Sequence, residues 1–154
     1  MKRRMVRLGY AVRRRLLGWA RWPTRGVKVA AFDRAGRLLL VRHGYGRSDL
    51  WMLPGGGVGR RKTPEAAARR ELMEELGCCV GALSLVAEYR SEAEGKRDRL
   101  WLFRGETADA PRPDGLEVVE ARFFPLDAPP PAASPATLRR IAEFRGERET
   151  GGSW

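Results

Sequence analysis

Cysteine is scarce in this chain of 154 residues: only Cys78 and Cys79 occur. Neighbours in sequence can neither staple a fold nor supply a four-ligand zinc set. That usage suits a reducing cytoplasm. Long apolar runs are missing as well, because Arg or Gly interrupts each one well before the roughly 18 consecutive residues that a membrane span needs. A transmembrane helix is therefore not expected. His43 is the single histidine, which leaves no material for a histidine-rich metal site. Acidic residues are missing from the start of the chain. Ten of the thirty cations precede the first acid, Asp33, and from there on twenty cations face nineteen acids. The formal charge of +11 thus belongs to the N-terminal segment, and the body is close to neutral. With 43% hydrophobic residues, the chain has material for one core in one domain.

What the N-terminal segment does contain is a spacing. Met5, Leu8, Val12, Leu16 and Trp19 recur at intervals of three and four, which predicts a basic amphipathic helix over residues 1–22. Arg13, Arg14 and Arg15 interrupt any signal-peptide core, although an Arg-rich, acid-free segment is compatible with a transit peptide. Two readings of this helix stand side by side. Its apolar stripe packs on the domain while the arginines stay solvated, or it is an arm that meets RNA, an acidic partner or an anionic membrane surface.

In the body, Val27 to Phe32 and Leu38 to Arg42 are apolar runs separated by Asp33-Arg34-Ala35-Gly36, the pattern of a hairpin. Residues 43–49 read as a loop. Trp51-Met52-Leu53 then leads to Pro54 and three glycines, a glycine-rich turn that brings backbone carbonyls or amides close to a ligand. Thr63 as cap, Pro64 at the first position and Gly77 at the end bound a helix. Leu83 to Tyr89 and Arg99 to Phe103 read as strands joined by a polar loop, and Glu117 to Phe124 as another. Pro125 to Pro135 holds five of the ten prolines and is a stiff connector. A last helix starts at Ser134 and Pro135 and runs through Leu138, Ile141 and Phe144. This order predicts an α+β fold with a mixed β-sheet between helices. Residues 23–146 form the domain and 147–154 a flexible tail.

On the helix beginning at Pro64, Glu71, Glu74 and Glu75 fall within an arc of about 100° at 100° per residue, beside an apolar seam of Leu72 and Leu76. Like carboxylates so placed repel one another, a cost that a divalent cation removes. Oxygen ligands favour Mg²⁺ or Mn²⁺ over zinc. A solvated acidic face paired with Arg69 and Arg70 is the plainer alternative. The glycine run in front of this helix favours a site for metal and phosphate.

Gly56, five residues, Lys62, seven residues and then Arg70-Glu71-Leu72-Met73-Glu74-Glu75-Leu76-Gly77-Cys78 resembles the signature of the Nudix hydrolases. Seven of the nine specified positions match at the right spacing. Leu39-Leu40-Val41-Arg42, Trp51-Met52-Leu53-Pro54 and Glu120-Ala121-Arg122-Phe123-Phe124-Pro125-Leu126 are similar to flanking Nudix segments in family order, so the resemblance covers about residues 27–144. It implies an α/β/α sandwich that hydrolyses a phosphoanhydride in a nucleoside diphosphate derivative or related nucleotide. It implies that Glu71, Glu74 and Glu75 bind divalent ions, with the Gly55 carbonyl as a further ligand. A metal-activated water needs a base, and the resemblance offers Glu71 or Glu74, or else an acid downstream, Glu117 or Glu120. Arg70 joins them as a catalytic candidate. Gly56, Gly57, Arg42, His43 and Trp51 are candidates for the substrate side, and Trp101 and Tyr45 for stacking on a base, although Trp on a strand is more often packing.

Lys62 departs from the pattern, standing where the family has a Glu that pairs with the arginine matching Arg70. Surface pairs contribute only about 0–1 kcal/mol, so the loss is mild unless that Glu also serves the metal. The alternative function is therefore a catalytically weakened protein of the same fold that binds a nucleotide or RNA.

Overall fold

The computed structural model describes residues 25–44, 46–47, 49–91 and 98–154. The basic helix expected over 1–22 and the stacking candidate Tyr45 lie outside the described residues, as does most of the polar loop expected between the fourth and fifth strands. In chain order the elements are β1 (Arg25–Phe32), β2 (Leu38–His43), β3 (Gly55–Gly57), α1 (Pro64–Leu76), β4 (Ser84–Ser91), β5 (Asp98–Glu106), β6 (Val118–Phe124) and α2 (Pro135–Phe144). No helix among the described residues is long and apolar enough to cross a membrane.

The strands form one mixed sheet in the order β4-β5-β1-β2-β6, with β3 attached to β1. β1 runs parallel to β5, and the other pairs are antiparallel. Alternation along each strand sends side chains to two cores. Val27, Val29, Ala31, Leu39 and Val41 pack with Ala67, Ala68, Leu72 and Leu76 of α1 on one face. On the other, Ala30, Phe32, Leu38, Leu40 and Trp51 pack with Ile141 and Phe144 of α2. Full burial contributes roughly 1.5–3 kcal/mol per large apolar side chain, which holds both helices against the sheet. The expected α/β/α sandwich is what forms.

Two local expectations are corrected. The hairpin between β1 and β2 is closed only beside its turn, at Phe32 and Leu38, where the Asp33 carboxylate accepts the Ala35 and Arg37 N–H groups. Beyond that pair the strands part, because the segment 52–57 is wedged between them: Met52 pairs with Val41, the Pro54 carbonyl accepts the Val29 N–H at 2.9 Å, and β3 pairs with the first half of β1. The glycine run is consequently a strand rather than a turn. Gly55 explains the composition, since at φ 150° a Cβ would sit 2.0 Å from the Val27 carbonyl oxygen. Only glycine lets the two backbones approach that closely.

The tail expected to be flexible over 147–154 is docked instead. Trp154 and Gly152 exchange backbone hydrogen bonds with Arg90, and the Trp154 ring meets Tyr89 edge-on at 5.3 Å. Arg140, wholly buried, lies 4.1 Å from the Tyr89 ring centroid and 5.0 Å from that of Trp154. It pairs with Glu143 at 2.8 Å, and the Tyr89 hydroxyl donates to the same carboxylate at 2.6 Å. A buried guanidinium needs such partners, and the polar composition of the tail hid the aromatic anchor at its end.

Substituting Gly55→Ala should destabilise the protein by about 3 kcal/mol, read as a fall of roughly 10 °C in Tm. Gly57→Ala, where a Cβ would meet nothing within 4 Å, should move Tm by about 1 °C or less. A second outcome concerns alkaline pH. Burial pushes the Cys78 thiol from 9.0 up to about 11, and burial together with the bond to Glu143 raises Tyr89. A group whose pKa is raised on folding contributes stability that is complete below its unfolded value and is lost as pH climbs through the folded one. Tm should therefore decline between pH 9 and 11, and Cys78→Ala should flatten that decline.

Candidate active site

The helix that carries the signature is fixed at both ends. The Thr63 hydroxyl accepts the Ala66 N–H at 3.1 Å, and Pro64 occupies the first turn. At the far end Gly77 turns left-handed at φ 63°, with its N–H bonded back to Met73 and that of Cys78 to Leu72. Arg69 donates to the carbonyls of Val80 and Gly81 and pairs with Glu65, so the chain leaving α1 is strapped to its side. The rotational setting of α1 against the sheet is thereby defined.

That setting separates the three glutamates. Glu71 and Glu75, one turn apart, are 0% and 2% exposed and sit on the packed face with Ala68, Leu72 and Leu76, whereas Glu74 is exposed. No group of three His, Cys, Asp or Glu side chains among the described residues is gathered tightly enough to hold an ion as it stands. The three carboxylates share a helix but not one point. Burial of two carboxylates on one helix face is nevertheless costly, and an all-oxygen set of Glu71, Glu75, Glu74 and the Gly55 carbonyl has the chemistry that Mg²⁺ or Mn²⁺ takes.

Arg70 links the elements. Its guanidinium donates to the Gly57 carbonyl at 3.0 Å and to Glu71 at 2.7 Å, and lies 4.0 Å from Glu74. The connection between glycine strand and helix that Lys62 was expected to lose is made here by the β3 backbone. Lys62 itself is exposed in a turn closed by its N–H on the Gly59 carbonyl.

Sheet alternation sorts the remaining candidates. His43 is 8% exposed on the α1 face, and its Nδ1 lies 3.2 Å from the Glu117 carbonyl oxygen, which also accepts the Gly44 N–H. A carbonyl only accepts, so this contact makes Nδ1 the protonated nitrogen. Arg42, Glu120 and Trp51 are on the opposite face. Arg42 and Arg122 both pair with Glu120, at 3.4 and 2.6 Å, and both guanidiniums lie about 6 Å from the Trp51 ring. Trp51 is 7% exposed, stacked edge-on against Phe124, and its carbonyl accepts from Ser134 and Thr137 at the start of α2. It anchors a helix and presents no face to the α1 side. Period-two alternation from Leu39 and Val41 was the signal that separates Arg42 from His43.

The sequence reading missed the segment between β5 and β6. Its Arg112 and Asp114 N–H groups cap the Leu76 and Glu75 carbonyls at the end of α1. The Asp114 carboxylate then gathers the N–H groups of Leu116, Glu117 and Val118 at 2.9–3.0 Å, a nest that places Glu117 beside His43. The Asp114-Gly115 pair was the turn signal available for it.

Comparison with known proteins identifies the family and the fold. The family model described as NUDIX domain matches residues 22–144. A putative 8-oxo-dGTP diphosphatase of Bacillus subtilis (strain 168) is 30% identical over 125 residues, 79% of this chain and 80% of that protein. An RNA pyrophosphohydrolase of Gluconobacter oxydans (strain 621H) is 41% identical over 51 residues. That match spans 33% of this chain and 30% of the relative, so the chain aligns with under a third of that relative's length. Among solved structures, the MutT NUDIX hydrolase from Burkholderia pseudomallei superposes with a TM-score of 0.68 at 26% identity, covering 78% of this chain and 96% of that one. A glycine strand tied by arginine to a helix bearing Glu71, Glu74 and Glu75, within a fold and family match of that extent, makes this chain a member of the Nudix hydrolase family.

Proposed function

We propose that the protein is a Mg²⁺- or Mn²⁺-dependent pyrophosphohydrolase that cleaves a phosphoanhydride bond in a nucleoside diphosphate derivative or a related nucleotide. The observation that carries this reading is the pair of buried carboxylates, Glu71 and Glu75, on a helix that Arg70 ties to the glycine strand. Glu71, Glu74, Glu75 and the Gly55 carbonyl would hold the ion, which when bound draws charge from phosphate oxygens and lowers the pKa of a water. Arg70 keeps α1 in register with β3, so the exposed Glu74 and the glycine backbone are held on joined elements, with Glu71 and Glu75 buried on the face behind them. Gly56 and Gly57 offer backbone without side chains there. The base is Glu71 or Glu74 on the helix, or Glu117 from the segment anchored on its end. Glu120 faces the other side of the sheet and is left out, as are Arg42 and Trp51.

The relatives' names span RNA pyrophosphohydrolase and 8-oxo-dGTP diphosphatase, which supports nucleotides as the substrate class and leaves the leaving group to experiment. Product release from ADP-ribose, dinucleoside polyphosphates, nucleoside triphosphates and 5′-triphosphorylated RNA, with and without Mg²⁺, tests the reading. Turnover of at least one of these that requires metal is expected. Tight binding without turnover across the panel would instead favour the weakened, binding-only reading of Lys62.

Glu74→Gln and Glu75→Gln should each lower metal-dependent turnover at least about a hundredfold, with circular dichroism unchanged. Activity that persists unchanged in either variant would remove the carboxylates from the reaction. Lys62→Glu should raise kcat or leave it within about threefold, because Arg70 is already engaged and Arg60 and Arg61 still attract anions. A raised KM with kcat preserved would show instead that Lys62 contacts the substrate.

A further inference from the structure

The two edges of the sheet are finished differently. β4 carries a bulge between Leu85 and Ala87, and its Arg90 backbone is covered by Gly152 and Trp154 of the docked tail. β6 closes the other side of the strand order, and among the described residues no segment pairs with its far edge. An uncovered edge is a template for another strand. β2 sets the direction of the free backbone groups there. Val41 exchanges both of its backbone bonds with Met52, at 2.8 and 2.9 Å, so Leu40 and Arg42 on either side direct theirs toward β6. They stand opposite Arg122 and Glu120, which therefore point back at β2. Ala121 and Phe123 turn their N–H and C=O groups outward.

A second copy of the same strand continues the sheet antiparallel about a two-fold axis normal to it. Only registers that oppose outward-pointing residues form a ladder, and those at the middle of β6 put the axis at Glu120, Ala121 or Arg122. The first sets Glu120 against Glu120 of the other copy and the third sets Arg122 against Arg122. Like charges directly opposite are destabilising. With the axis at Ala121, Glu120 of each copy faces Arg122 of the other across a rung without hydrogen bonds, where Cα atoms approach to about 4.5 Å. The same register sets Val119, 46% exposed at the bulge that starts β6, against Phe123, an aliphatic–aromatic pair.

We propose that the protein associates with a second copy of itself along β6, with Ala121 on the two-fold axis and Glu120 and Arg122 as reciprocal charge pairs. The side chains are already in place for this. Arg122 is well exposed and reaches Glu120 of its own strand at 2.6 Å, while Arg42 holds Glu120 from β2 at 3.4 Å. Across the four joined strands each charged rung then runs Arg42, Glu120, Arg122, Leu40, with unlike charges adjacent at every step. The axis is normal to the sheet, so α1 of both copies lies on one face of it. The proposal does not depend on the reaction the protein catalyses.

Sedimentation equilibrium of the full-length protein tests it, at about 0.15 M salt, where the Debye length of about 8 Å screens the cationic N-terminal segments from one another. A short ladder is a small interface, so a dimer with Kd of about 1–100 μM is expected. R122E, which sets Glu120 against a second carboxylate, should weaken association about tenfold or more. A121P, which removes an N–H that β2 does not use, should do the same, since proline is tolerated on an edge whose N–H faces solvent. Circular dichroism should be unchanged in both. Mixing R122E with E120R should restore association, because both charged rungs then pair unlike charges. Should E120R, which sets a third guanidinium beside Arg42 and Arg122, not fold, R122E and A121P decide the matter. A protein that stays monomeric up to about 300 μM, or a dimer that either R122E or A121P leaves unchanged, overturns the proposal.

Discussion

The Arg70 guanidinium joins the two parts on which the rest of this molecule depends. Its N–H groups reach the Gly57 carbonyl of β3 and the buried Glu71 of α1, so a strand with no side chains and a helix with three carboxylates keep a common register. Everything around them serves that register. Gly55 lets β3 press against Val27, the segment 52–57 holds β1 and β2 apart, and Arg112 and Asp114 cap the helix end from beyond β5. A charge-assisted bond to a buried carboxylate is stronger than a neutral one. Here it stands in for the loop-to-helix ion pair that Lys62 cannot make.

Two faces of one sheet divide the polar residues into separate groups. On the α1 side lie His43 and the buried α1 glutamates; on the α2 side Glu120 is shared by Arg42 and Arg122 over Trp51. Adjacent residues thus take unrelated roles: Arg42 braces the packing around Trp51 while His43 fastens the segment that carries Glu117. The buried Arg140, Glu143 and Tyr89 belong to the second group and hold the chain's last residues on β4.

Much of this was legible in the sequence. Caps and breakers announce α1 and α2 because Thr63, Gly77 and Ser134 satisfy backbone groups that depend on local chain alone. The spacing of the signature likewise needs no tertiary information. What escaped were features decided by pairing between distant segments: the wedge that opens the β1–β2 hairpin, the strand character of Gly55–Gly57 and the docking of Trp154. Helical angles grouped Glu71, Glu74 and Glu75, but where α1 meets the sheet decides that two are buried and one exposed. Naming Glu120 as a candidate base and Trp51 as a substrate-side residue missed the face each one takes, for a related reason. Chain position says when a residue arrives at the sheet, and only register says on which face.

The central claim is that buried carboxylates on α1 form a divalent-metal site. Thermal unfolding in increasing Mg²⁺ or Mn²⁺, without substrate, tests it most directly, because an ion that binds the folded state raises Tm by mass action. A saturable rise with either ion, absent with matched ionic strength of NaCl and abolished in Glu71→Gln, is the result this account predicts. A Tm unmoved by either ion up to about 10 mM, which at a Kd near 1 mM would stabilise the fold by roughly 1.4 kcal/mol, would contradict it.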